Sequence, residues 1–436
     1  MTLKMNDAKK QPFPLPPGWK WARLGDYLTD LQLGIACGDK SLTEGVPHLR
    51  MNNISAKGEI DLSLLWRISV SADDLKHYRL LPGDILFNNT NSVELVGKTA
   101  LFNIGEGDFI YSNHLTRIRT RYNELRPGWL ALYLRFLWGR RYFERVADRW
   151  AGQSAVRDDI LKSLPILIPT PVQQDMIISR FDAQMTKVQR MRQAAERQLE
   201  ATRAMPGALL HQVFRYKEGD TLPPSWRWAR LRDVVSDSIE QCNPANRFED
   251  VFTYIDISSV DNVSKRIVSP QVLHAPEAPS RARQIVRTND VLVATTRPNL
   301  NAVALVSSEL DGQICSTGFC VLRAFREELA RYIFAYVQSP PFVRAVSALV
   351  QGALYPAITD DDVKDCWMSL PPPNEQRTIV ARLESQMSVI QHIRQAAECQ
   401  MEAINALPGA LLREVFGGFE PPTGSKPTGG YPSDEE

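Results

Sequence analysis

The feature that most constrains this 436-residue chain is that it says the same thing twice. Residues 15–26 read LPPGWKWARLGD and residues 222–233 read LPPSWRWARLRD, an offset of 207. Residues 171–214 align with residues 373–416 at an offset of 202, with 23 identities in 44 positions. Between these anchors the halves diverge. LPGDILFNNTNS (81–92) only echoes RTNDVLVATTRP (287–298), and YSNHLTRIR (111–119) only echoes CSTGFCVLR (315–323). The order is therefore variable domain, shared segment, variable domain, shared segment, which a fold must satisfy before any local preference counts.

The shared segments predict long helices. Residues 172–205 contain neither Pro nor Gly, with Pro171 on one side and Pro206 and Gly207 on the other. Ile177, Phe181, Gln184, Val188, Met191, Ala195, Gln198, Thr202 and Met205 follow alternating steps of four and three. Ile379, Leu383, Gln386, Ile390, Ile393, Ala397, Gln400, Ile404 and Leu407 repeat them. A seam of this period held for more than four heptads predicts a coiled coil. Each helix of about 34 residues would span roughly 50 Å. The simplest arrangement pairs them antiparallel within the chain; packing on their own domains or on other subunits remains open.

The variable domains read as α+β. Strands are expected at 48–54, 84–89, 114–121, 253–260, 290–296 and 319–325, and amphipathic helices at 129–146 and 327–350. The expected organisation is an N-terminal segment (1–14), a first variable domain (15–170), a central helical segment (171–220), a second variable domain (221–372), a distal helix (373–416) and a disordered tail (417–436). That tail holds five Gly and four Pro.

Composition narrows the functional classes. Lys and Arg number 51 against 50 Asp and Glu, which excludes a strongly basic arm-type binder but not a local basic face. Residues 15–170 carry 20 basic and 17 acidic groups, net +3, and residues 221–372 carry 15 and 17, net −2. Neither domain would grip DNA by bulk charge alone, because non-specific affinity comes from neutralised phosphates. No apolar run reaches 18 residues, so no membrane span is expected, and the start lacks a secretory core. Cys37, Cys242, Cys315, Cys320, Cys366 and Cys399 are scattered without ligand spacing. They predict thiols in a reducing cytoplasm rather than a metal site.

Catalytic motifs are broken where they begin. Gly97-Lys98-Thr99 lacks the first Gly of a phosphate loop, and GIACGDKS (34–41) has Asp39 where the Gly-Lys pair should be. Asn243-Pro244-Ala245-Asn246 lacks the second Pro and the aromatic of an amino-methyltransferase. Asp158, Asp159 and Asp360 to Asp362 suit helix starts better than metal. No catalytic residue is assigned. The candidates are instead polar loops. Asn88, Asn89, Asn91 and Ser92 follow a strand in the first domain, with Lys98 beyond them; Arg297, Asn299 and Asn301 occupy the matching loop of the second. Asn and Arg can pair bidentately with adenine and guanine edges. Arg117, Arg119 and Arg121 alternate along a strand, and Arg281, Arg283 and Arg287 form a similar group suited to phosphate. Turn-forming Asn and a solvated Arg face are the competing readings.

Two variable domains, each opened by LPxxWxWxRLxD and closed by a Pro-bounded helix ending in PGALLxxVF, resemble the specificity (S) subunit of type I restriction-modification systems. Leu81-Pro82-Gly83-Asp84, Ser112-Asn113-His114-Leu115, Arg297-Pro298-Asn299-Leu300 and Ser316-Thr317-Gly318-Phe319 are further phrases in that style, and the likeness covers about residues 15–416. The resemblance implies two pseudo-two-fold-related α/β target recognition domains separated by two long antiparallel coiled-coil helices. Each domain would read one half of a bipartite, asymmetric site in double-stranded DNA. The repeated helices would set the gap and dock two methyltransferase (modification) subunits, with motor-nuclease (restriction) subunits joining. This chain would bind no cofactor; S-adenosylmethionine, ATP and Mg would reside in the partners. A modification-only complex and a non-DNA helical scaffold are the alternatives.

Overall fold

The computed structural model describes residues 15–36, 44–150, 152–350 and 356–419. The expectations for the N-terminal segment, for Cys37 and for most of the tail lie outside these residues. The fold is mixed helix and sheet, with its longest helices at α1 (Pro127–Gly139), α2 (Pro171–Val213), α3 (Glu327–Val337) and α4 (Pro373–Phe416). Two compact units emerge: residues 1–194 with 401–436, and residues 195–400. Both divisions fall inside the long helices, so each unit joins one variable domain to part of α2 and part of α4.

In the first unit the opening motif becomes the strand Lys20–Arg23, which pairs antiparallel with Pro165–Ile168 just before α2. In the second, Arg227–Arg230 pairs with Trp367–Leu370 before α4 in the same way. Leu24 N donates to Leu164 O, and Leu231 N to Cys366 O. The repeated opening phrase thus closes each domain onto the root of its own long helix.

The divergent middles are sheets with two buried faces. Unit 1 has a four-stranded sheet in the order Leu28–Leu33, Leu115–Thr120, Ile85–Asn88, Thr99–Leu101. Ile85, Phe87 and Ile118 face a core built on α1, while Leu86, Ala100 and Leu115 face a second core with Leu49, Ile54 and Tyr111. That period of two is the signature of a strand covered on both sides. Unit 2 repeats it with Val303–Leu305, Val291–Ala294 and Phe319–Leu322. Here Val291 and Val293 turn to one core, and Leu292 and Ala294 to the other.

Several expected elements are shorter. The strand at 48–54 ends at Leu49, because residues Met51–Asn53 turn as a 3₁₀ helix in which Asn53 Oδ1 accepts from Arg50 N. Likewise the strand Val251–Ile255 stops before the 3₁₀ turn Ile257–Ser259 capped by Asp256. The helix expected at 129–146 is broken where Arg141 takes φ +56°, and the one at 327–350 breaks at Ser339, whose hydroxyl caps the next helix before Pro340. Asp158 and Asp360 each open a short helix.

The long helices correct the sequence reading in two respects. First, Pro206 and Pro408 do not end them: α2 has 43 residues and α4 has 44, each with its Pro inside. An interior Pro costs about 3 kcal/mol, but the residues beyond it bury large side chains. Leu210, Val213 and Phe214 enter the core of unit 2, where Phe214 packs edge-on against Tyr332 and Tyr336. Leu412 and Phe416 enter the core of unit 1 beside Trp129, Tyr133 and Phe136. Second, the seam is out of phase. Phe181, Val188, Ala195 and Thr202 are buried as expected, but Met191, Gln198 and Met205 are exposed, and Arg192 is buried instead. In α4, Leu383, Ala397 and Ile404 are buried, Ile379, Ile390 and Leu407 half-buried, and Gln386, Ile393 and Gln400 exposed. Arg192 can occupy the seam because its aliphatic stem packs while its guanidinium reaches Asn405 Oδ1 at 2.6 Å. Gln184 is half-buried; the amides at 198, 386 and 400 sit in solvent. Within unit 1 the helices run antiparallel, since Arg180 meets Glu414 (2.7 Å) and Arg192 meets Asn405.

Candidate nucleic-acid interface

Each unit presents one loop that leaves the central strand where an acidic turn has locked its other end. In unit 1, Asp84 is buried, accepts Leu81 N at 2.8 Å and receives Arg119 Nε at 2.6 Å and Nη2 at 2.8 Å. In unit 2, Asp290 accepts Arg287 N at 2.8 Å and Arg323 Nε and Nη2 at 2.9 and 2.8 Å. The turn needs a left-handed residue before the acid: Gly83 (φ +95°) in one unit, Asn289 (φ +69°) in the other. Two phrases in the diverged region therefore encode the same latch.

Most polar candidates of unit 1 have internal work. Asn88 is fully buried, and neither its amide nitrogen nor its oxygen has a partner among the described residues. Asn89 Nδ2 donates to Thr116 Oγ1 (2.9 Å) and Asn113 O (3.3 Å). Lys98 sends its ammonium to Ile54 O (2.6 Å) and Met51 O (3.3 Å), and burial lowers its pKa. Arg117 pairs with Asp30 (2.7 Å) and also reaches Gln32, while Arg119 serves the Asp84 latch. Asn91 and Ser92 sit half-buried at the loop rim, where Thr90–Asn91 pairs with Ser154–Ala155. Gly97 is explained without phosphate: it has φ +89°, and a Cβ there would lie 2.3 Å from the Phe143 ring.

That contact points to what the sequence reading missed. Phe143 sits in a run, RRYFERVADR (residues 140–149), with arginines at 140, 141, 145 and 149. Arg149 lies in the strand Asp148–Trp150, two strands from Thr90–Asn91 in one three-stranded sheet. Arg141, Arg145 and Arg149 are exposed. Four Arg in ten residues was a readable signal; their burial-free position beside the loop was not.

Unit 2 places its candidates outward. A 3₁₀ turn, Pro298–Leu300, is flanked by two left-handed residues, Arg297 (φ +49°) and Asn301 (φ +50°). Pro298 is buried, whereas Arg297 and Asn299 are exposed and have no side-chain partner among the described residues. The loop is held by Arg297 N to Pro356 O (2.8 Å), by the Thr296–Ala357 bridge and by Asn301 Nδ2 to Val337 O (2.8 Å). The Ser316–Thr317–Gly318 turn joins it to Arg281: Thr295 N donates to Gly318 O, and Thr317 N to Arg281 O, both at 2.9 Å. Arg281 is exposed. Arg283 bonds Ala282 O (2.7 Å), and Arg287 pairs with Glu240 (3.0 Å).

Among the described residues no three His, Cys, Asp or Glu side chains gather as a metal-holding group, and no helix is long and apolar enough to cross a membrane. Cys315 and Cys320 are core side chains, and burial pushes their thiols well up.

No family model matches. A Methanocaldococcus jannaschii chain carrying the name MjaX type I restriction enzyme specificity subunit is 24% identical over 418 residues, covering 93% of this chain and 96% of that one. The EcoKI specificity subunit of Escherichia coli is 24% identical over 211 residues, 48% of this chain and 44% of the relative. Among solved structures, a chain from a type I R-M system described for its complex assembly superposes with a TM-score of 0.70 at 22% identity, covering 93% of this chain and 99% of that one. The chain has the fold of the type I restriction specificity subunits. The HsdS subunit of Thermoanaerobacter tengcongensis superposes at 0.60, also at 22% identity, over 93% and 98% of the two chains.

Proposed function

We propose that this chain is the DNA-reading specificity subunit of a type I restriction-modification complex, its two units each reading half of a bipartite, asymmetric target. The observation that carries the reading is a repeated frame around unlike loops. The same latch, Asp84–Arg119 and Asp290–Arg323, holds a loop with Asn88 and Asn89 buried and Asn91 and Ser92 half-buried in one unit, and an exposed Arg297–Asn299 turn in the other. A duplicated frame with diverged middles suits one task performed on two sequences. Side-chain donors on such a loop can discriminate base edges, while exposed arginines such as Arg145, Arg149 and Arg281 suit phosphate contacts that fix orientation.

The long helices would separate the units as an antiparallel pair and dock two modification subunits. Met191 and Ile393, the same position of the repeat, are 46% and 40% exposed, which suits one partner surface met twice. Lys98, Asn89, Arg117 and Arg119 act in this reading as supports of the reading loop. S-adenosylmethionine, ATP and Mg would be held by the partners, and a modification-only complex would use the chain identically.

The experiment is to co-express the chain with its adenine-methyltransferase partner and sequence the methylated motifs of the host. A two-part motif with a fixed unread gap supports the proposal; absence of any sequence-specific adenine methylation favours a helical assembly scaffold.

A further inference from the structure

Among the described residues five non-glycine residues have positive φ, and three of them, Lys265, Arg297 and Asn301, meet at the presented loop of unit 2. Strained backbone of this kind persists only where surroundings over-determine it, and it gathers at functional sites. Lys265 (φ +57°) ends the turn joining the strands Val260–Asp261 and Arg266–Ile267. The matching turn of unit 1, between the bridged residues Ile54 and Ile60, has Gly58 at φ +74°. Glycine suits that place because its backbone φ is one that other residues adopt only with strain. In unit 2 the left-handed place is taken by a residue that tolerates it poorly.

The side chain supplies the reason. Lys265 Nζ lies 2.6 Å from Asn301 O and 2.8 Å from Asn301 Oδ1. Asn301 Nδ2 in turn donates to Val337 O. Both ends of the Asn301 amide and its carbonyl are thus committed, and the residue is fixed in its left-handed conformation at the exit of the Pro298–Leu300 turn. The ammonium is part-buried, which pushes its pKa down to about 8, and Asp261 on the same turn, bonded to Val263 N and Ser264 N, is the countercharge near it.

We propose that Lys265 is a positioning residue that holds Asn301, and through it Arg297 and Asn299, in the geometry that reads a base edge, so that it sets the specificity of unit 2 without touching DNA. This rests on the DNA-reading function proposed above. Lys265→Met removes the ammonium, Lys265→Gly removes it while relieving the backbone as unit 1 does, and Lys265→Arg restores a cation.

Two readouts on the full chain separate the possibilities. Hydrogen exchange of the bonded amides at Arg297, Leu300 and Asn301 should quicken at least tenfold in Lys265→Met and Lys265→Gly and stay near wild type in Lys265→Arg. With the methyltransferase partner bound, discrimination within the half-site of unit 2 should fall about tenfold in the first two variants and recover in the third, the other half-site being unchanged. Unchanged exchange would overturn the hold on the loop. A loosened loop with undiminished discrimination would overturn the specificity role. Wild-type complex that marks no sequence would instead remove the DNA-reading function, while the exchange result still decides whether Lys265 governs the loop.

Discussion

Asp84 and Arg119 form a two-pronged ion pair, 2.6 and 2.8 Å, at the root of the loop of unit 1, and Asp290 and Arg323 repeat it in unit 2. Each Asp side chain is nearly inaccessible, at 3% and 1% exposure. Removing one member strands a buried charge, which costs about 3 kcal/mol. Arg119→Ala, which strands the Asp84 carboxylate, should therefore destabilise unit 1 by about that amount, and Arg323→Ala, which strands Asp290, unit 2. Hydrogen exchange under mild denaturant, read separately for residues of each unit, measures both. Equal loosening of both units by either variant would contradict the local role.

His48 gives a pH dependence. It is fully buried, and burial pushes its pKa below the ordinary 6.5, outweighing the neighbouring Ile35 and Tyr111 backbone. The unfolded chain therefore binds the proton that the folded chain resists. Stability contributed by keeping this ring neutral is intact above about pH 6.5 and falls as acid takes the pH below it. Thermal unfolding from pH 7.5 to 5.5 should show that loss, and His48→Leu should flatten it.

Arg192 and Asn405 test the helix seam. Arg192 Nη2 donates to Asn405 Oδ1 at 2.6 Å, while its Nε is buried without a partner. Asn405→Leu should cost about 2 kcal/mol by leaving the guanidinium unpaired. Arg192→Met should be neutral or stabilising, because it removes the buried cation and keeps the stem. Denaturation midpoints of the two variants distinguish these outcomes; equal losses would mean that the cation itself stabilises the seam.

Arg297 carries the specificity prediction. Arg297→Ala should relax one half-site by about 1–3 kcal/mol, roughly fivefold to 150-fold, if it reads a base. Competition binding with single-base variants of each half-site measures it. Uniform weakening over all sequences, with a shallower salt dependence, would make Arg297 a phosphate contact.

These assignments also mark what the sequence can carry. The repeated phrases were legible because they make local structure: the opening strand, the turn before Asp84, the helical period from residue 171. The phase of the seam was not, since Met191 is the better apolar choice by type and only the distant Asn405 makes Arg192 the buried one. Helix continuation through Pro206 was hidden for the same reason, the compensation lying in contacts of Phe214 with Tyr332 and Tyr336, more than a hundred residues away. Arg117 alternates with Arg119 as a solvated or phosphate-binding face would, but Asp30 from the neighbouring strand and Asp84 from the turn before another claim them. Arg297, Asn299 and Arg281 were legible as exposed polar residues, whereas nothing local announced that Lys265 would reach Asn301.

The central claim is that interchangeable units in one repeated frame each read their own sequence. It is tested by replacing residues 221–372 with a second copy of residues 15–170 and sequencing adenine methylation in a host that also supplies the methyltransferase partner. The account predicts a symmetric motif, the half-site of unit 1 followed by its inverted repeat across an unread gap. An active complex that still marks the original asymmetric motif would contradict it.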